Sequence, residues 1–205
     1  VCRISREGTK LTIIGYSNYG NAQASKTLLK DTILNGFQRE SGLVLTTSST
    51  RIVSVSAGLS WLGVNPIQTL ESTSNNVGVS MYEYYKTSGN WTKSAVLTQH
   101  DATYYSDGND RLTLSAGQWV SKYIFKAMGS LNELYYVSGN AYGSKSLAVS
   151  ESIPEVPSYI AGISVCVGKI VVRKDQAVGT AYTRNWKNIN FNGCITEHND
   201  LNNIL

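Results

Sequence analysis

The sequence predicts an all-β fold, a β-sandwich or jelly-roll-like domain of about seven to nine short strands, and three observations predict it. Ser, Thr, Asn, Gly and Tyr are conspicuous throughout, while only 16% of residues are charged, against roughly 25% in an ordinary globular chain. The aromatic complement is 13 Tyr and 4 Trp against 3 Phe, so most rings carry a hydroxyl or an indole N–H suited to half-buried sheet faces. Short segments of period two are punctuated by Gly, Asn, Asp, Ser and Pro, a pattern that favours a sandwich or barrel over a parallel α/β sheet.

The elements follow in order. From Ala24 to Arg39, Leu28, Leu29, Ile33, Leu34 and Phe37 recur mostly at three- and four-residue spacing among Lys26, Lys30, Asp31 and Arg39. That spacing predicts one short N-terminal helix ending near Ser41-Gly42. The period then changes to two: Val53, Val55 and Ala57 alternate with Ser54 and Ser56, and Gly58 leads into Leu59-Ser-Trp-Leu62. Further strands are expected over Val77–Lys86, Ser94–Gln99, Arg111–Ser115, Gln118–Ala127, Glu133–Val137 and Ile163–Lys174. Ser88-Gly-Asn90 and Ser106-Asp-Gly-Asn-Asp110 supply residues that tolerate the positive φ of tight hairpin turns. Ser144 to Ser152 predicts a helical turn, after which Pro154 and Pro157 impose an extended linker.

At 205 residues, one domain with short extensions is the simplest organisation. The expected divisions are an N-terminal segment with the short helix (1–42), a β-sandwich-like module (43–175) and a polar, Asn-rich C-terminal connector (176–205). The start at Val1 and the tail from Ile195 to Leu205, which looks like the opening of another element, suggest a processed chain or a piece of a longer one.

Composition narrows the function classes. The net charge of +4 is spread along the chain with no block of like charges, which argues against nucleic acid as a partner. No window approaches the roughly 18 apolar residues of a membrane span, so membrane insertion is not expected. Glycines occur singly, without a phosphate-cradling motif, and no nucleotide cofactor is implied. Cys2, Cys166 and Cys194 form neither a disulfide framework nor paired zinc ligands, and Cys166, inside Ile163-Ser-Val-Cys-Val167, reads as a buried core thiol.

Catalytic constellations are sparse. A triad requires His, and only His100 and His198 are present, neither in a nucleophile-elbow context. His100-Asp101 has residue types used for metal or acid–base work, but a polar strand end leading into a turn explains it without a second ligand pair. Asp107-Gly-Asn-Asp110 lacks the spacing of a calcium loop and reads as a turn. The acids Glu71, Glu83, Asp107, Asp110, Glu133, Glu151 and Glu155 carry no local mark pairing any two for glycoside chemistry. The expectation is a protein without catalytic activity, cofactor or metal.

Aromatic residues are the remaining candidates for contact with a glycan or partner: Tyr82, Tyr84, Trp91, Tyr104 and Tyr105. Alternation puts Tyr82 and Tyr84 on one sheet face and Tyr85 on the other. Their functional reading is a sugar platform, and the competing one is cross-strand packing.

Three passages together resemble bacteriophage tail-fibre and virion-appendage modules: Tyr104-Tyr-Ser-Asp-Gly108 with Leu112–Gly117 and Trp119; Leu134-Tyr-Tyr-Val-Ser-Gly139 running through Tyr142 to Pro154 and Pro157; and Val165–Val172. The resemblance covers about Arg51 to Lys174. The tail, His198, Asn199, Asp200 and Leu201, is similar to a connector that opens a trimeric, intertwined segment in such fibres. The resemblance implies a homotrimeric structural module in a virion tail or surface appendage, touching other virion proteins and positioning or contributing to host-surface attachment, with a host-surface glycan as a further candidate partner. A carbohydrate-binding module of a secreted protein and a capsid decoration protein are the alternatives.

Overall fold

The computed structural model describes residues 4–7, 10–13, 38–62, 65–129, 131–176 and 178–183. They form an all-β chain with two short helices. Strands β1 (Ile4–Glu7) and β2 (Lys10–Ile13) make a separate hairpin. Strands β3 (Gln38–Gly42), β4 (Leu45–Thr47), β5 (Val53–Val55), β6 (Gly58–Leu62), β7 (Asn65–Thr69) and β8 (Ser72–Thr73) make two three-stranded antiparallel sheets, ordered β3-β6-β7 and β4-β5-β8. Next come β9 (Ser80–Thr87) and β10 (Asn90–Lys93), then the β11 (Tyr104–Ser106) and β12 (Arg111–Thr113) hairpin. The chain then runs through β13 (Trp119–Ala127), β14 (Glu133–Tyr142), helices α1 (Lys145–Ser150) and α2 (Ser158–Ile163), β15 (Ser164–Arg173) and β16 (Thr180–Thr183).

The central sheet has the order β10-β9-β14-β13-β15-β16, and its one parallel pair is β9 with β14. Register assigns its faces. Met81 and Glu83 of β9, Leu134, Tyr136 and Ser138 of β14, and Val120, Lys122, Ile124 and Lys126 of β13 share the first face. Tyr82, Tyr84, Tyr135, Val137, Tyr123 and Phe125 share the second.

Each face is covered. Leu43, in the connection from β3 to β4, and Leu45, Val53 and Val55 of β4 and β5 pack on the first with Met81, Ile124, Leu134, Tyr136 and Ile170, forming the main core. The second is closed by Ile160 of α2 and by Ile153 and Val156 of the connector before it. A strand covered on both sides loses the alternation of a half-solvated one. That is why β13 is buried from Val120 to Ala127 and β15 from Ser164 to Val172. Each large aliphatic side chain so enclosed contributes roughly 1.5–3 kcal/mol.

Two glycines lie at close approaches, the first against backbone and the second against the end of a side chain that can shift. A Cβ on Gly168 would stand 2.2 Å from the Tyr182 carbonyl, at the bulge where β15 shifts register against β13. One on Gly139 would stand 2.0 Å from the Glu151 carboxylate.

Several expectations need correction. Gln38 and Arg39, placed at the end of the predicted helix, pair with Trp61 and Ser60 in β3; tertiary pairing overrides a local period. The remainder of Ala24–Phe37 lies outside the described residues. The strand expected over Ser94–Gln99 reduces to a single bridge, Leu97 to Met81. Ser94 Oγ takes the Glu83 N–H at 2.9 Å, and Ser94 N–H and Leu97 N–H donate to the Glu83 and Met81 carbonyls, so three steps of this chain span two of β9 and the ladder breaks. The strand expected from Val77 starts only at Ser80, because Asn76 and Val79 close turns on Thr73 and Asn76. Helix α1 forms where a helical turn is predicted, with the Ser144 hydroxyl accepting from Leu147 N–H. Cys166 is buried, as its surroundings imply.

Candidate functional site

The densest chemistry lies inside the molecule, on the first face beneath the β11–β12 hairpin. Lys122 and Ser138 are register partners across β13 and β14, and Glu83 lies on the neighbouring β9 opposite Tyr136. All three are buried. The Ser138 hydroxyl donates to Glu83 Oε1 at 3.0 Å. Lys122 Nζ donates to Ser138 Oγ at 2.8 Å and to the Tyr104 carbonyl at 2.6 Å.

From the hairpin above, Arg111 Nη2 meets Glu83 Oε2 at 2.6 Å and Asp101 Oδ2 at 3.5 Å. Its guanidinium also lies over the Tyr104 ring at 3.7 Å and the Tyr85 ring at 4.8 Å. Sheet and hairpin are therefore joined through charge-assisted hydrogen bonds, the stronger kind.

Burial shapes the electrostatics. Desolvation lowers Lys122 to about 8, against the opposing pull of Glu83 and Asp101. His100 is fully buried and neither ring nitrogen has a partner. Desolvation, followed by the charges of Lys122 and Arg51, lowers it to about 3. Burial also pushes Tyr136 well above its ordinary value, with Glu83 adding to the effect. For Asp101, burial acts upward, but bonds from Thr103 and the charges of Lys122 and Arg111 hold the carboxyl below its usual range.

An amine 2.8 Å from a serine hydroxyl is the arrangement of a Ser–Lys nucleophile and base. Here the proton of Ser138 is already donated to Glu83, and Lys122 is held by a main-chain carbonyl of the covering hairpin. These bonds tie the sheet to the covering hairpin. Removing one member of such a set leaves an uncompensated buried charge, at a cost of about 3–5 kcal/mol.

The aromatic candidates divide between two locations. Tyr82, Tyr84 and Trp91 belong to the second face. Tyr82 stacks on Tyr135 at 6.4 Å, and Tyr84 meets the same ring edge-on at 5.9 Å. Lys93 covers Tyr82 at 3.6 Å and Lys86 lies over Trp91 at 5.1 Å. Tyr104 is engaged by Arg111, and Tyr105 packs on the small cluster of Ala102, Leu114, Val120 and Val172. These five residues do not share one surface. His198, Asn199, Asp200 and Leu201 lie outside the described residues.

Asp107 closes a turn, its Oδ1 accepting from Asn109 N–H at 2.8 Å and Asp110 N–H at 2.7 Å. Among the described residues no group of three or more His, Cys, Asp or Glu is arranged to hold a metal ion. No described helix is long and apolar enough to cross a membrane.

Sequence reasoning passed over Lys122, Arg111 and Ser138, and treated Glu83 only as one acid among several. A usable signal existed: Lys122 sits between Val120 and Ile124 on one strand face, so alternation alone aims it inward. Arg111, on a separate hairpin, had no such mark.

Comparison of the chain with protein-family models, with curated proteins and with solved structures finds no match.

Proposed function

We propose that this chain is a structural module of a virion, a bacteriophage tail fibre or similar appendage, which assembles as an oligomer and positions or contributes to a host-attachment surface. The observation that carries this reading is the engagement of Glu83, Arg111, Lys122 and Ser138 with one another between sheet and hairpin. Groups that would serve a reaction hold strands together instead. The all-β architecture and the similarity of Arg51–Lys174 to fibre modules point the same way, the latter by analogy alone. Exposed apolar side chains such as Leu70 and Val96 suit burial against symmetry mates.

Solution mass by light scattering tests the proposal. A stable trimer is the expected result. A monodisperse monomer of the full chain contradicts it and gives first place to a monomeric carbohydrate-binding module, with Tyr82 and Trp91 as the residues to mutate in glycan-binding assays.

A further inference from the structure

Two lysines are buried on the first face of β13, and they differ. Lys122 reaches Glu83 through one hydroxyl. Lys126, only 1% exposed, donates to two carbonyl oxygens, that of Leu131 at 3.4 Å and Oδ1 of Asn132 at 3.3 Å. Among the described residues no carboxylate lies within ion-pair distance of it. A buried ammonium so placed is costly.

Its neighbour is held from two sides. The buried Ser72 hydroxyl donates a hydrogen bond to Asn132 Oδ1, and the Asn132 main-chain carbonyl accepts from Ser80 N–H at 3.2 Å. The carboxamide carbon is one C=O bond, about 1.23 Å, beyond the oxygen that Lys126 contacts.

We propose that Lys126 and Asn132 condense into an intramolecular isopeptide bond, Nζ of the lysine joined to Cγ of the asparagine, with loss of ammonia. The free amine attacks Cγ and the carbonyl electrons move onto Oδ1, where the Ser72 hydroxyl holds the developing negative charge, as a hydrogen-bond donor does in an oxyanion site. Collapse breaks the Cγ–Nδ2 bond, and the departing nitrogen leaves as ammonia with a proton from the attacking amine. One C–N bond forms, one breaks, and nothing is oxidised or reduced. The reactive free base is accessible: desolvation, against the opposing charge of Glu133, lowers Lys126 to about 8, leaving about one molecule in ten deprotonated at neutral pH. The product exchanges a buried charge for a neutral amide and bridges the β13–β14 hairpin.

Intact-mass measurement with tryptic mapping of the full chain tests this. The expected result is a deficit of about 17 Da, one ammonia, with tryptic cleavage after Lys126 lost and no fragment ions separating 126 from 132. Asn132→Ala restores both the mass and the cleavage. Partial conversion that rises on incubation near pH 9 supports the same chemistry. The proposal is overturned if Lys126 is cleaved normally and the mass still matches the sequence after that incubation. A deficit mapped elsewhere, such as a succinimide at Asn192-Gly193, overturns it equally.

Discussion

Both faces of the central sheet are closed by apolar packing, but among the described residues only the first places a buried carboxylate against an arginine. The first is fixed near its middle by ionic hydrogen bonds from Glu83, Arg111, Lys122 and Ser138, the second by packed rings of Tyr84, Tyr123, Phe125 and Tyr135. Ionic bonds are directional and fail when one partner is removed, whereas apolar packing fails in proportion to the volume lost. Adjacent side chains of one strand, Lys122 and Tyr123, therefore respond to different perturbations.

The largest effect is expected from Glu83→Ala. It removes the buried carboxylate that Arg111 meets directly and Lys122 reaches through Ser138, leaving Arg111 only the 3.5 Å contact with Asp101, and should destabilise the fold by about 3–5 kcal/mol, read from the midpoint of denaturant unfolding. Tyr123→Phe probes the other face. The Tyr123 hydroxyl donates to the Glu151 and Ser152 carbonyls at 2.7 and 2.8 Å, and its loss should cost about 1–3 kcal/mol. Equal losses for the two substitutions would erase the distinction between the faces.

Acidity sharpens it. His100 ionises near 6.5 when unfolded and only near 3 in the fold, so the unfolded chain binds the extra proton first. Stability conferred by the neutral imidazole is complete above about pH 6.5 and declines as pH falls toward 3, by up to about 1.4 kcal/mol per pH unit. His100→Phe should flatten that slope in unfolding titrations between pH 4 and 6.5; an unchanged slope would assign the acid sensitivity to carboxylates.

The smallest effect is expected at Lys86, which meets the exposed Glu155 carboxylate at 2.7 Å. Screening limits such a pair, and Glu155→Gln should shift stability by no more than about 1 kcal/mol. A larger shift would move part of the ionic cohesion to the second face.

Much of the central sheet is legible in the sequence, and its reasons are local. Strands β9, β13, β14 and β15 are long, apolar and bounded by turn residues, so period and punctuation identify them. The short strands β4, β8, β11 and β16 escape because pairing partners, not residue preference, define three- or four-residue segments or shorter. Of the site, Glu83, His100, Asp101 and the aromatic rings are among the residues the sequence draws attention to. The link from Arg111 to Glu83 spans 28 positions and depends on how the β11–β12 hairpin folds over the sheet, which no local pattern encodes.

A double-mutant cycle on Glu83→Ala and Arg111→Ala, followed by denaturant unfolding, tests most directly whether these buried charges serve cohesion. Coupling of about 1.5 kcal/mol or more, within the range of interacting neighbours, is the predicted result. Additive effects within about 0.5 kcal/mol would contradict it, and would remove the observation on which the structural-module reading rests.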